Sequence, residues 1–291
     1  MKKILVLGGS GLVGSVFSRF SEKCYDLHLT YNTNSINDLK INSTKINVST
    51  QISELKKLIL DVSPDVIINT IAHSSVDLCE TNHADADFLH VTIPKKILEF
   101  SSEIGSKLIY FSTDAVFPGE LNKKYTETDL PSPVNYYGQT KLDAEKAILN
   151  HSNRNTVLRT AVIYGKHERS RFTNWILSSL KNNKMVDPFI DQFNTPTLVD
   201  DIAKTLVRII DDNISGLYHA AGPTCLNRYD FAQLLSKHSK LNSELIKPVT
   251  KNEKKQLAPR PISTCLDSSK LENILKIKFS DITSGINHIL N

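Results

Sequence analysis

After Met1-Lys2-Lys3, four apolar residues run together, Ile4-Leu5-Val6-Leu7, and small residues then dominate from Gly8 to Gly14. So short an apolar run, closed by glycine, predicts a strand buried on both faces, and helical spacing follows through Phe20. The alternation continues along the chain. Strands are expected at 25–30, 45–48, 65–72, 108–113, 156–164 and 216–220, and helices at 52–60, 84–104, from about 133 past Lys141, 172–180, 198–210 and 229–238. Pro94 is expected to kink or split the helix it falls in, and 192–197 reads as loop. A long loop with Pro118-Gly119 and Pro131-Ser132-Pro133 precedes the helix carrying Tyr137. A loop of that length is more often a functional rim or lid than filler. Regular strand and helix alternation predicts an α/β protein, a Rossmann-type doubly wound parallel sheet. Regularity falls after residue 165, which predicts a smaller C-terminal lobe over 166–291, with about 191–220 returning to the first domain.

Composition narrows the classes. The chain has 291 residues, 40% hydrophobic and 23% charged, with net charge +4 and pI near 8.7. Those proportions are ordinary for a globular protein. Basic residues are interspersed with acids, and Lys251 to Lys255 is too short a tract to argue for nucleic acid. No apolar run approaches the roughly 20 residues of a membrane span. Glycines interrupt the first apolar run too early for a signal peptide, so a cytoplasmic location is expected. Cys24, Cys79, Cys225 and Cys265 lie far apart with no CxxC spacing, which predicts reduced thiols. Cys79 with His83 and His73 has a faint metal-like spacing but lacks a fourth ligand, and no metal site is expected.

Strand, glycine turn and helix in that order form a phosphate site: small residues let the backbone approach, and the helix start offers unpaired N–H groups. Gly8, Gly11 and Gly14 give the spacing GxxGxxG, with Ser10 and Leu12 between them. Residues 1–165 are therefore read as an NAD(P)-binding domain. A carboxylate about 20 residues past the glycines would favour NAD. Thr30-Tyr31-Asn32 ends the second predicted strand instead, so NADPH is admissible and NADH possible. No arginine stands there, and Lys40 and Lys45 are the distant candidates for a 2'-phosphate. Asn69 to Ala72 closes another strand, where backbone could line the nicotinamide side.

Tyr137 and Lys141 are four apart on a predicted helix and share one face. Such pairs are common and usually decorate a solvated face. As a catalytic pair they would set an ammonium beside a phenol, whose proton would have to be lowered by roughly 3 pH units, about 4 kcal/mol, to be used near neutrality. Thr113 ends an apolar run at the expected carboxyl edge of the sheet. A hydroxyl, a phenol and an ammonium could converge there on one carbonyl oxygen.

Gly8-x-x-Gly11-x-x-Gly14, Ser112-Thr113-Asp114-x-Val116-Phe117-x-Gly119 and Tyr137-Gly138-Gln139-Thr140-Lys141 together resemble the extended short-chain dehydrogenases/reductases. The chain more narrowly resembles the dTDP-4-dehydrorhamnose reductase family. That likeness rests on Ala72-x-x-x-Val76-Asp77, Arg159-Thr160 with Tyr164-Gly165, Asp191-Gln192-x-x-x-Pro196-Thr197, Gly216-x-Tyr218-His219, and Arg260-Pro261 with Leu266-Asp267. The resemblance implies NAD(P)H-dependent reduction of the 4-keto group of a nucleotide-linked 4-keto-6-deoxy sugar, with dTDP-4-dehydrorhamnose going to dTDP-L-rhamnose, a cell-surface polysaccharide sugar, as leading candidate. It also implies roles. Tyr137 would protonate the alkoxide, Lys141 would lower the tyrosine and bond the nicotinamide ribose, and Thr113 would hold the same oxygen. Thr30, Asn47, Val48 and Ala72 would line the cofactor site. Ser74, Asp77, Asp114 and Val162 would line the sugar pocket, and Gln192, Thr197 and Arg260 the nucleotide end.

Each pocket residue also has an ordinary structural role open to it: a turn hydroxyl, a helix cap, a loop hydrogen bond, or, for Arg260, a bridge between lobes. The sequence departs from the family at three places. Val162 stands where a tryptophan is frequent, His90 where an asparagine is expected before the Thr113 strand, and Asn47 where an aspartate is common. A related epimerase or dehydratase, which returns its hydride, is an alternative. So is a non-catalytic NADP-binding regulatory protein resembling the β subunit of methionine adenosyltransferase. A homodimer is compatible with the sequence.

Overall fold

A computed structural model describes residues 1–36 and 41–291. In chain order the first elements are β1 (Lys3–Leu7), α1 (Leu12–Ser21), β2 (Asp26–Tyr31), β3 (Asn42–Lys45), α2 (Ile52–Val62) and β4 (Val66–Asn69). Then come α3 (Val76–Thr81), α4 (His83–Asp87), α5 (Ile93–Glu103), β5 (Lys107–Thr113), α6 (Tyr136–His151), β6 (Thr156–Thr160) and β7 (Ile163–Tyr164). The remainder is α7 (Arg171–Lys181), β8 (Phe193–Asn194), β9 (Thr197–Leu198), α8 (Val199–Asp211) and β10 (Gly216–His219). It closes with β11 (Leu226–Asn227), α9 (Arg228–Ser239), α10 (Ser269–Leu275) and α11 (Ile282–Leu290).

Seven strands form one sheet in the order β10-β6-β5-β4-β1-β2-β3, with every pairing parallel. Parallel strands covered on both faces must be apolar throughout, and β1 shows why its run is continuous. Ile4 and Val6 pack with Phe17 of α1 and Ile202, Leu206 and Ile209 of α8. Leu5 and Leu7 pack on the opposite face with Leu55 and Ile59 of α2, Ile97 of α5 and Ile148 of α6. A separate, smaller core gathers Tyr164, Ile176, Phe231, Leu235 and Ile286 from the later elements. This is the Rossmann-type sheet with a smaller C-terminal region. Strand order turns back between β1 and β4, the place where such sheets bind ligands.

Several boundaries differ from expectation, each for a local reason. The strand expected at 45–48 ends at Lys45; Ile46 bonds Tyr31, and the chain then turns at Asn47. The strand expected over 156–164 breaks after Thr160, and its second part, β7, leaves the main sheet to pair with β9. The segment expected as loop at 192–197 supplies the two-residue strands β8 and β9. In the helix expected at 84–104, the break is a π-helical turn at Phe88–Thr92. Pro94 sits in the first turn of α5, where a missing N–H costs least.

The expectation of four reduced thiols is corrected. Cys225 and Cys265 are joined in a disulfide across 40 residues of sequence, while Cys24 and Cys79 are free. Distance along the chain carries no information about two residues that the fold brings side by side. A thiol reagent applied to the denatured, unreduced protein is therefore expected to count two cysteines, and four after reduction. Four before reduction would show the bridge to be absent.

Candidate active site

At the carboxyl ends of β1 and β4 opens a cleft of about 880 Å³. Gly8, Ser10, Gly11, Thr30, Asn47, Val48 and Ala72 all line it; Leu12 and Gly14 begin α1 beneath. Gly8 has φ +87°, and a Cβ on Gly14 would lie 2.5 Å from the Gly8 carbonyl oxygen, so this turn closes only with glycine at both positions. The Gly8 N–H donates to the Thr30 hydroxyl at 3.1 Å, and Gly9 donates to the Thr30 carbonyl at 2.7 Å, which ties the turn to the end of β2. No side chain caps α1. Its first N–H groups thus face the cleft unclaimed by any cap, as an anionic ligand requires. The wall from Thr30 to Asn34 carries no charged residue. Lys45 is not among the lining residues, and Lys40 lies outside the described residues. Two charged residues that the sequence did not nominate, Asp85 and Arg169, do line it.

Beside the Ala72–His73 end of this cleft stands the catalytic candidate trio. Asn135 caps α6 by accepting from the Gly138 N–H at 2.9 Å. A Cβ on Gly138 would lie 2.2 Å from the Ala115 carbonyl oxygen, so only glycine lets the helix approach the turn after β5 this closely. Tyr137 then hydrogen-bonds with Thr113 at the end of β5. The Thr113 hydroxyl also donates to Asp114 at 3.1 Å and accepts from the Ala115 N–H at 3.1 Å. Lys141 is buried; its Nζ donates to the Phe111 carbonyl at 2.6 Å and lies 4.2 Å from the centre of the Tyr110 ring.

His90, one of the three departures from the expected pattern, joins cleft to trio. Its Nε2 accepts from the His73 N–H at 2.9 Å, which assigns the proton to Nδ1, 3.0 Å from the Thr140 hydroxyl. Thr140 in turn donates to the Tyr137 carbonyl at 3.0 Å, and the His90 ring meets Tyr137 edge to face at 5.4 Å. His90 lies within the π-helical turn, a device that often re-aims side chains at functional sites.

The remaining candidates divide. Asp114 accepts a short hydrogen bond from Thr264, and Arg228 at the start of α9, also unforeseen, acts on it electrostatically while lying over the Phe172 ring at 5.5 Å. Asp77 and Arg260 are brought together, at 2.9 Å, as an ion pair. Gln192 bonds Gln256. Thr197 is wholly buried, its hydroxyl donating to the Thr195 carbonyl and accepting from the Gly222 N–H, so it reaches no cleft. Ser74 is exposed, and the helix cap at this loop is its neighbour Ser75. Val162 is half-buried just past β6, where its carbonyl accepts from Thr197. Among the described residues no cluster of His, Cys, Asp or Glu could hold a metal, and no helix is long and apolar enough to cross a membrane.

Residues 1–291 match the family described as RmlD substrate binding domain. The chain belongs to this family. The dTDP-4-dehydrorhamnose reductase of Aggregatibacter actinomycetemcomitans is 27% identical, over 99% of this chain and 98% of that protein. Methionine adenosyltransferase 2 subunit beta of Mus musculus is 32% identical, over 94% of this chain and 82% of that one. A crystal structure described as a hypothetical dTDP-4-dehydrorhamnose reductase from Sulfolobus tokodaii superposes with a TM-score of 0.86 at 28% identity, covering 97% of this chain and 98% of the other. Family membership makes this chain an NAD(P)H-dependent oxidoreductase, and the family's chemistry is reduction of nucleotide-sugar 4-keto intermediates.

Electrostatics at Thr113, Tyr137 and Lys141 are ruled by burial. Burial raises Tyr137 to about 12, against the opposing pull of its hydrogen bond with Thr113. The phenol is thus protonated at neutral pH, the form that can donate. Burial lowers Lys141 to about 7, against the opposing pull of Glu145. Burial, with Lys141 nearby, also lowers His90 to about 3, so the ring is neutral, as its hydrogen bonds require.

Because the folded Lys141 value is depressed, the unfolded chain binds the extra proton between about pH 7 and the ordinary lysine range. The group's cost is fully present below about pH 7 and fades as pH rises toward 10. Lys141→Met is therefore expected to raise the melting temperature of the cofactor-free protein most near pH 6, with a gain that shrinks toward pH 10. A gain that does not vary with pH would show that burial leaves the lysine unperturbed.

Proposed function

We propose that this protein reduces the 4-keto group of a nucleotide-linked 4-keto-6-deoxy sugar, with NADPH as the favoured reductant and dTDP-4-dehydrorhamnose as leading substrate. The observation that carries the reading is the meeting of Thr113, Tyr137 and Lys141 beside a glycine-turn cleft. Bound dinucleotide supplies the hydride. Tyr137, held protonated, gives its proton to the oxygen as charge develops there, and Thr113 turns its hydroxyl from Asp114 toward the same atom. Lys141 supplies the positive charge that eases loss of the Tyr137 proton once ligand polarises the site. In this reading Asp114, which accepts from Thr264 and feels the Arg228 charge, accepts from a sugar hydroxyl. An uncharged wall at Thr30–Asn34 supports NADPH, because no carboxylate stands at the end of β2 to bind the ribose hydroxyl and repel a 2'-phosphate.

A second reading has one observation in its favour, the 32% identity to a subunit of methionine adenosyltransferase. In that reading the protein binds dinucleotide and serves another enzyme without turnover. NADPH oxidation followed by absorbance, with dTDP-4-dehydrorhamnose and then a UDP-linked 4-keto sugar, separates the two. Sugar-dependent oxidation is expected, and Tyr137→Phe is expected to reduce it by roughly 100-fold or more while leaving NADPH affinity within about threefold. Dinucleotide binding with no oxidation of NADPH by any such sugar would favour the second reading.

A further inference from the structure

Resting on the dinucleotide reading of the cleft, we propose that Arg169 is a cofactor-positioning residue that binds the pyrophosphate together with the α1 backbone. Arg169 belongs to the connection between β7 and α7, more than 150 positions from the glycine turn, and no glycine or strand pattern points to it. That connection is braced against α1. His167 accepts from the Arg169 N–H through Nδ1 at 3.1 Å, which leaves the proton on Nε2 to donate to the Ser15 hydroxyl at 2.9 Å. Ser15 donates onward to the Gly11 carbonyl at 2.6 Å. Asn174 holds the carbonyls of His167 and Glu168 at 2.8 and 2.9 Å, and Gly165 donates to the Ser170 hydroxyl at 3.0 Å. A loop fastened at both ends and in the middle delivers the guanidinium to the cleft that Gly8, Ser10 and Gly11 also line.

The guanidinium arrives there with its Nε lacking a hydrogen bond and with an exposed ion-pair partner. Its Nε is buried without a hydrogen-bond partner, and the nearest carboxylate, on the largely exposed Glu168, stands 3.5 Å away. A desolvated donor of this kind costs free energy until an acceptor reaches it. A phosphoryl oxygen suits it in charge and in fork geometry. The brace ends on Ser15 and Gly11 of the helix whose N-terminus takes the pyrophosphate, and no described bond ties it to the β2 end, where a 2'-phosphate would lie. Arg169 therefore acts on the part of the cofactor that NADPH and NADH share.

Titration calorimetry on the whole protein with NADPH, NADH and ADP-ribose tests this. Arg169→Ala is expected to weaken all three by a similar factor of roughly tenfold or more, and Arg169→Glu by more still. Both variants are expected to keep the parent's melting temperature, since the side chain holds no other element. Unchanged affinity in either variant would overturn the inference, and so would a loss confined to NADPH, which would make Arg169 a reader of the 2'-phosphate. Failure of the parent protein to bind any of the three would remove the dinucleotide reading itself, a result distinct from tight binding by parent and variants alike.

Discussion

The close approach of α6 to the turn after β5 is the constraint on which the site depends. At Gly138 the helix rests on the Ala115 carbonyl so tightly that no side chain fits between. One residue before that contact Tyr137 meets Thr113, and three residues after it Lys141 reaches the Phe111 carbonyl of β5. The buried face of α6 is unusually polar for a helix packed on a sheet: Thr140, Lys141 and Glu145 are all enclosed. Each buried polar group must find a partner or cost stability. Thr140 finds His90, Lys141 finds the Phe111 carbonyl, and Glu145 takes Arg159 of β6 in a bidentate pair with bonds of 2.7 and 3.0 Å. Partners of that kind are directional, so they fix the helix's rotation and height as an apolar face of loosely interchangeable side chains would not.

Much of this was legible in the chain because it is local. A strand, a glycine turn and a helix follow one another within 20 residues, and a helix places Tyr137 and Lys141 on one face whatever surrounds them. What escaped is tertiary. Arg169 and Arg228 reach the cleft and Asp114 from elements far away in sequence, and no periodicity marks a long side chain for such a reach. His90 reads from sequence as a departure from a pattern. In the fold it is the hinge piece between the His73 backbone and the Tyr137 helix, and its neutrality is a product of burial that sequence does not display. The Cys225–Cys265 bridge was missed for the same reason, since spacing along the chain predicts pairing only for small, cysteine-dense frameworks.

The segment from Ala258 to Asp267 shows how the two parts of the molecule share one site. Its N–H at Ala258 and the guanidinium of Arg260 both end on Asp77 of α3. The Pro259 carbonyl accepts from Asn135, the residue that caps α6. Thr264 bonds Asp114, Cys265 and Asp267 pair with the Tyr125 backbone, and the Cys265 sulfur is bridged to Cys225, three residues before Arg228. On its other edge the same segment pairs through Ile262 and Thr264 with Phe193 of β8. A single extended stretch thus touches the cap of the Tyr137 helix, the carboxylate beside Thr113 and, through the disulfide, the residue that leads into β11. Asp77 and Arg260 neutralise each other in this arrangement, so neither is left free to pair with a substrate phosphate unless the ion pair opens. In the proposed reaction, discrimination among sugars would then rest on Asp114 and the Arg228 charge that acts on it. The backbone around α6 thus holds Tyr137 at Thr113, and the connecting segment holds Asp114 beside them through Thr264.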